Sequence, residues 1–201
     1  MPIAKSAAVL LAVFACSAWN LASARNPTVQ ISTDVGDIQV MVDTTHAPRT
    51  AANFLRYVAH RAYDNGVFHR TVRLDNQPNN RVKIEVIQGG LNPTHTGSDY
   101  PPIALERTNL TGIRHTAGTI SMARDGPDTA TSDFFICVAD APSLDFGGAR
   151  NPDGQGFGAF GHVISGMDVV RRIQGSSADG QTLTPPIRII SIRLLAPTRP
   201  K

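Results

Sequence analysis

Val67-Phe68-His69-Arg70-Thr71-Val72 is a run of β-branched and aromatic residues with a cation inside it. Such a composition favours a strand, and side chains alternate across a strand. On that pattern Phe68 and Arg70 share one face and His69 takes the other. Downstream, Val82 to Gln88 alternates again: Ile84, Val86 and Gln88 fall on one face, Lys83 and Glu85 on the opposite one. Leu74 to Arg81, between these runs, has the composition of turns. Upstream, Thr28–Ser32 and Asp37–Val42 read as a hairpin joined by Asp34-Val35-Gly36. Further strands are expected at Thr119–Ala123, Phe134–Val138, Phe160–Ile164 and Ile187–Leu195, the last with a bulge near Ile190. Helical spacing occurs twice, from Pro48 to His60 and from Met167 to Gln174. Residues 89–118 and 142–158 read as loop. Many short strands with two helices point to a mainly β, closed architecture.

The chemistry-bearing residues sit in short, separated segments. There is no serine elbow, no cysteine–histidine pair and no metal-ligand spacing among the histidines. A permanent cation, an amide and aromatic walls suit a ligand that is held and twisted, not one that is cut. The segments are FHR (68–70), QGG (88–90), SMAR (121–124), SDFFI (132–136) and FGHV (160–163). In that order they resemble the cyclophilin-type peptidyl-prolyl cis-trans isomerases, whose segments read FHR, QGG, SMAN, SQFFI and FG. The resemblance covers residues 28–195. It implies a closed eight-stranded antiparallel barrel capped by two α-helices, and an enzyme that rotates X–Pro bonds without a cofactor or metal.

Rotation about an amide meets a barrier of roughly 18–20 kcal/mol set by resonance. A hydrogen bond donated to the prolyl nitrogen localises its lone pair and lowers that barrier. The resemblance gives this catalytic role to Arg70. It places Phe135 under the proline ring and Phe134 in the core, and it assigns Phe68, Val86, Gln88, Ala123, Arg124, Asp133, Leu144 and Phe157 to substrate binding.

Several positions depart from the family pattern. Asp133 stands for glutamine, Arg124 for asparagine, Ser143 for a large aromatic, and Phe157 for histidine or tyrosine. About ten extra residues separate Arg70 from Gln88 and bring Glu85 to a position where phenylalanine lines the pocket. Strand alternation turns Glu85 away from it. Asp133 is expected to pair with Arg70 or Arg124, and with Arg124 by preference because the two flank one loop; such a pair would lower the carboxyl pKa. With Ser143 in place of the aromatic, weak binding of cyclosporin A is implied.

The first 24 residues carry Lys5, an apolar stretch from Ala7 to Ala15 and a small-residue cleavage site at Ala22-Ser23-Ala24, the pattern of a secretory leader. Val13-Phe14-Ala15-Cys16 loosely resembles a lipoprotein box, so a lipid anchor at Cys16 is a second reading. Cleavage after Ala24 removes one charged residue, Lys5, and leaves 18 Lys+Arg against 16 Asp+Glu. No basic tract exists, which argues against nucleic acid as a partner. No segment beyond the leader is apolar enough to suggest a membrane span. Cys137 is then a lone cysteine in an apolar run and reads as a buried hydrophobe. Two functions follow: a monomeric, exported isomerase, in the periplasm, acting on proline-containing polypeptide clients to assist their folding; or a peptide-binding module of the same fold with little turnover. Residues 196–201 read as a short tail.

Overall fold

β1 (Thr28–Thr33) and β2 (Gly36–Val42) form the expected antiparallel hairpin, turned at Gly36 with φ of 131°. That conformation suits a residue without Cβ. The computed structural model describes residues 26–95 and 100–196; the leader, Cys16 and residues 197–201 of the tail lie outside them. The remaining strands are β3 (Gly66–Val72), β4 (Val86–Gly90), β5 (Thr119–Met122), β6 (Phe134–Cys137), β7 (Gly158–Ser165), β8 (Ala178–Asp179) and β9 (Thr182–Leu194). Eight of them run β1-β2-β7-β5-β6-β4-β3-β9, every pair antiparallel, and β9 returns to β1 to close the barrel. β8 is a short addition on the outer edge of β9. The mainly β, closed eight-stranded barrel is the architecture expected from the sequence.

Among the described residues three α-helices accompany it. α1 (Pro48–Ala59) starts on Pro48, whose missing N–H is not needed in a first turn. Its N-cap, Ala47, offers no side-chain acceptor. The Glu106 carboxylate supplies one from a distant loop, accepting from the Arg49 and Thr50 amides at 3.1 and 2.7 Å. α2 (Thr108–Thr111) is a single turn inside the stretch read as loop, and α3 is Met167–Gln174. α1 packs on β7 and β9; α3 packs against β2, β3 and β4. The barrel interior is filled by one apolar cluster in which Phe54 of α1 meets the rings of Tyr63, Phe134 and Phe160 at centroid distances of 5.1 to 5.7 Å. Removing such a ring costs about 3–5 kcal/mol.

Of the register shifts in the wall, two bear on the reading of the sequence. Opposite β1, Ser32 faces Ser191 and Thr33 faces Ile189, so Ile190 is left over, 44% exposed, as the expected bulge. In β3 the register with β4 steps from Phe68↔Gly89 to Arg70↔Gln88, which makes His69 the extra residue of a second bulge. Phe68 and Arg70 therefore do not share a face. Phe68 is fully buried inside the barrel, ring to ring with Phe134 at 5.8 Å, and Arg70 points outward.

Pleating does the rest. On β6, Phe134 and Ile136 face the interior while Phe135 and Cys137 face out; on β4, Ile87 faces in and Val86 out. The outward side chains join Val72, Ile84, Ala141 and Leu144 in a second apolar cluster on the barrel's flank. Cys137 is buried there, and burial raises its thiol pKa.

Candidate active site

The second cluster is the floor of a cleft of about 410 Å³. Arg70, Val86, Gln88, Ala123, Arg124, Asp133, Phe135, Leu144 and Phe157 all line it, together with Ile84 and Arg150. Phe68 does not. The sequence reading placed it in the site by simple alternation, and the bulge at His69 turns it into the core instead.

Arg70 is clamped between two amides. Its Nη1 donates to Gln88 Oε1 at 3.0 Å, and its Nε and Nη2 donate to Gln181 Oε1 at 3.0 and 2.6 Å. Gln181 was not anticipated. It sits in the turn between β8 and β9, far along the chain, and no local motif marks it. Its own Nε2 donates to the Asn76 carbonyl at 3.1 Å, so the extra segment between Arg70 and Gln88 fixes which end of the Gln181 amide faces the arginine. Burial lowers the Arg70 pKa, yet a guanidinium keeps its proton at neutral pH. All its acceptors are neutral, so its charge is oriented without being cancelled.

Phe135 forms the wall. His115 lies parallel behind it, at 5.9 Å and 14°, and Phe157 meets it edge-on, at 5.3 Å and 88°. His115 is fixed by Asp145 on Nδ1 at 2.8 Å and by the Ser121 hydroxyl near Nε2 at 3.0 Å. Burial would push the Asp145 carboxyl up. The hydrogen bonds from the His115 ring and amide, with the charges of His115 and Arg114, outweigh it and hold the pKa below the usual carboxylate value. None of these supporting groups carries a signal in the sequence beyond its residue type.

The expected pairing of Asp133 with Arg124 does not form. Asp133 accepts from Gln88 Nε2 at 3.3 Å and lies 3.6 Å from His69 Nε2. The bulge again is the reason, since it breaks the alternation of β3 and leaves His69 Nε2 within reach of the Asp133 carboxylate. Burial pushes the Asp133 pKa up, against the lowering expected, with His69 and Gln88 opposing. Arg124 instead holds Asp153 through Nη1 and Nη2 at 2.8 and 3.0 Å, donates Nε to the Gly156 carbonyl, and lies over the Phe157 ring. Glu85 faces away from the cleft, accepting from Gln174 of α3 at 3.0 Å. The Ala123 amide donates to the Asp133 carbonyl at 2.9 Å, continuing the β5–β6 ladder along the cleft wall.

Arg150 is a second unforeseen residue. It comes from the loop after Leu144, and its Nη1 donates to Gln77 Oε1 and the Val82 carbonyl. Gln77 is buried and also binds the Arg73 carbonyl and both backbone groups of Ile84. One amide thus ties the 73–85 segment into a fixed flap beside the cleft. Among the described residues no cluster of histidine, cysteine or carboxylate side chains could hold a metal ion.

Residues 28–194 match the family model described as cyclophilin type peptidyl-prolyl cis-trans isomerase/CLD. A peptidyl-prolyl cis-trans isomerase of Acinetobacter baylyi is 35% identical over 196 residues, covering 94% of this chain and 95% of that protein. Peptidyl-prolyl cis-trans isomerase B of Escherichia coli is 37% identical over 149 residues, 73% of this chain and 84% of its own. The crystal structure of a cyclophilin type isomerase from Cryptosporidium parvum superposes with a TM-score of 0.68 at 24% identity, covering 85% of this chain and 98% of that one. The same protein was also solved in the presence of the dipeptide Ala-Pro, with a TM-score of 0.67.

Proposed function

This chain belongs to the cyclophilin-type peptidyl-prolyl cis-trans isomerases, and from that membership we propose how its own residues perform the rotation and on what. The proline ring rests on Phe135, bounded by Val86, Leu144 and Phe157. Arg70 donates a hydrogen bond to the prolyl nitrogen as that nitrogen becomes pyramidal. No bond is made or broken. The donor strengthens only when the lone pair localises, so it lowers the barrier selectively and not merely the energy of the bound peptide. Gln88 and Gln181 hold the guanidinium in place. The observation that carries this reading is the amide clamp: a half-buried cation with neutral acceptors on one side and an apolar floor on the other.

The client is an unfolded or partly folded polypeptide that presents X–Pro in an extended segment. The leader-like composition of residues 1–24 supports action on exported proteins, in the periplasm. A relative of this family was crystallised in the presence of Ala-Pro, which supports a site of proline-dipeptide size.

Arg70→Ala tests the mechanism. Loss of one positioned donor typically costs about 2.7–4 kcal/mol of transition-state stabilisation. Exchange spectroscopy on an Ala-Pro peptide should therefore show a drop of at least tenfold in turnover with an unchanged melting curve. Turnover equal to wild type would remove Arg70 from the mechanism. Fractionating the expressing cell, with and without residues 1–24, tests the location.

A further inference from the structure

Three guanidiniums line one cleft here, and two of them, Arg70 and Arg150, are not neutralised. The acceptors on Arg70 are the Gln88 and Gln181 amide oxygens; those on Arg150 are the Gln77 amide oxygen and the Val82 carbonyl. Among the described residues no carboxylate lies within ion-pair distance of either. Other arginines do have a carboxylate, as Arg124 has Asp153, Arg188 has Asp34 and Arg193 has Asp64, while Arg56 and Arg107 also donate to side-chain amides but lie outside the cleft lining.

We propose that Arg150 is a specificity-determining residue which selects peptides carrying an acidic side chain next to the proline. This deepens the isomerase reading and rests on it. Three observations carry it. First, the cation is placed in advance: a buried amide and a backbone carbonyl fix Nη1, so little side-chain freedom is lost when an anion arrives. Second, like charge is held with like charge. Burial lowers the Arg150 pKa and the Arg70 charge lowers it further, a cost that a ligand carboxylate relieves. Third, the cleft that both cations line has an apolar floor; with the proline ring on that floor, as proposed above, the anion is left to a neighbouring residue's side chain. The cleft's own Asp133 is engaged with Gln88 and His69, and its electrostatic neighbour is His69, not either arginine. Asp125 is exposed. A planar guanidinium matches a carboxylate with two parallel donors, which a lysine could not.

The test uses the full-length protein and three matched tetrapeptide pairs, with Glu, Ala or Lys placed before or after the proline. Exchange spectroscopy reads kcat/KM, and chemical-shift titration on the same samples reads binding. Glu on at least one side should exceed Ala by about tenfold, equivalent to about 1.4 kcal/mol, and should exceed Lys by more. The gain should lie in KM and shrink as salt is raised, because a partly open ion pair is screened. Arg150→Gln should bring the Glu:Ala ratio to within twofold of one. Arg150→Lys should keep part of the ratio, and Arg150→Glu should invert it toward Lys. Should Arg150→Gln unfold the flap, the Lys variant and the salt dependence of the wild type decide the matter. Equal rates for Glu, Ala and Lys, or a Glu preference that survives Arg150→Gln, would overturn the proposal and leave the isomerase intact. Glu-selective binding with no turnover of any peptide would do the reverse.

Discussion

Gln181→Leu separates holding the catalytic cation from being it. Leucine keeps most of the volume and discards the acceptor. Arg70 then loses its partners at 3.0 and 2.6 Å and keeps only Gln88 Oε1 at 3.0 Å. A hydrogen bond to a charged group contributes about 1.5–3 kcal/mol. The guanidinium is only half buried, water can substitute, and the two lost bonds share one oxygen, so the lower end of that range applies to the pair. A loss of about 1.5 kcal/mol in productive orientation is about tenfold in kcat, with KM almost unchanged because the apolar floor is untouched. Exchange spectroscopy on an Ala-Pro peptide measures both. The decisive arm is the double-mutant cycle: in an Arg70→Ala background, Gln181→Leu should have no further effect, since its whole action passes through that side chain. Turnover within twofold of wild type, or an equal loss in both backgrounds, would refute the clamp as the source of the orientation.

Three further outcomes are expected. Asp133 has a raised pKa in the folded protein, so below the unfolded value of about 4 it costs nothing, and the penalty grows as pH rises through the folded value. Asp133→Asn should therefore raise the melting temperature at pH 7 and not at pH 3; with the side chain 41% exposed the gain is held to under about 1 kcal/mol, and destabilisation at pH 7 would contradict it. Asp145 has the opposite sign: its stabilisation is present above about pH 4 and is lost as pH falls through the lowered folded value. Asp145→Ala also leaves the buried His115 ring without its partner, a cost of about 1–3 kcal/mol, visible as a lower melting temperature at pH 7, and an unchanged one would refute the role. Cyclosporin A should bind weakly, because Ser143 is absent from the cleft lining; nanomolar inhibition would mean that Phe157, edge-on to Phe135, replaces the missing aromatic.

The sequence disclosed what local periodicity controls. The barrel strands, α3 over Met167–Gln174 and the slip at Ile190 all follow from spacing over a few residues. So does the division of labour between Phe134 and Phe135, since neighbours on a strand cannot face the same way. The bulge at His69 was not legible, because it arises from what β4 and β9 do opposite β3. Two errors followed from that one residue: Phe68 was put in the cleft, and Asp133 was given the wrong partner. Gln181 and Arg150 escaped for a different reason. Gln181 reaches Arg70, and Arg150 the cleft, from a loop, and a loop's destination is set by the closure of the whole chain. Two of the three departures that favoured a binding module without turnover lose their force in three dimensions: Glu85 faces α3, and Asp133 leaves Arg70 to its two amides, while Ser143 still leaves the cleft without an aromatic there.

The closure of the barrel through β1 and β9 also decides how the molecule would respond to being pulled. The first and last strands are antiparallel neighbours, with Val29 opposite Leu194 and the Leu195 amide bonded to the Thr28 carbonyl at 2.8 Å. A force applied between the two ends loads that outermost rung alone, then the next, instead of shearing all rungs together. The seam should peel at low force, although the same hydrogen bonds, broken at once by heat, would resist as a cooperative set. Whatever is tethered at residue 28 and at residue 194 leaves the barrel from one spot, and a machine that grips the chain there begins at a line that opens one rung at a time.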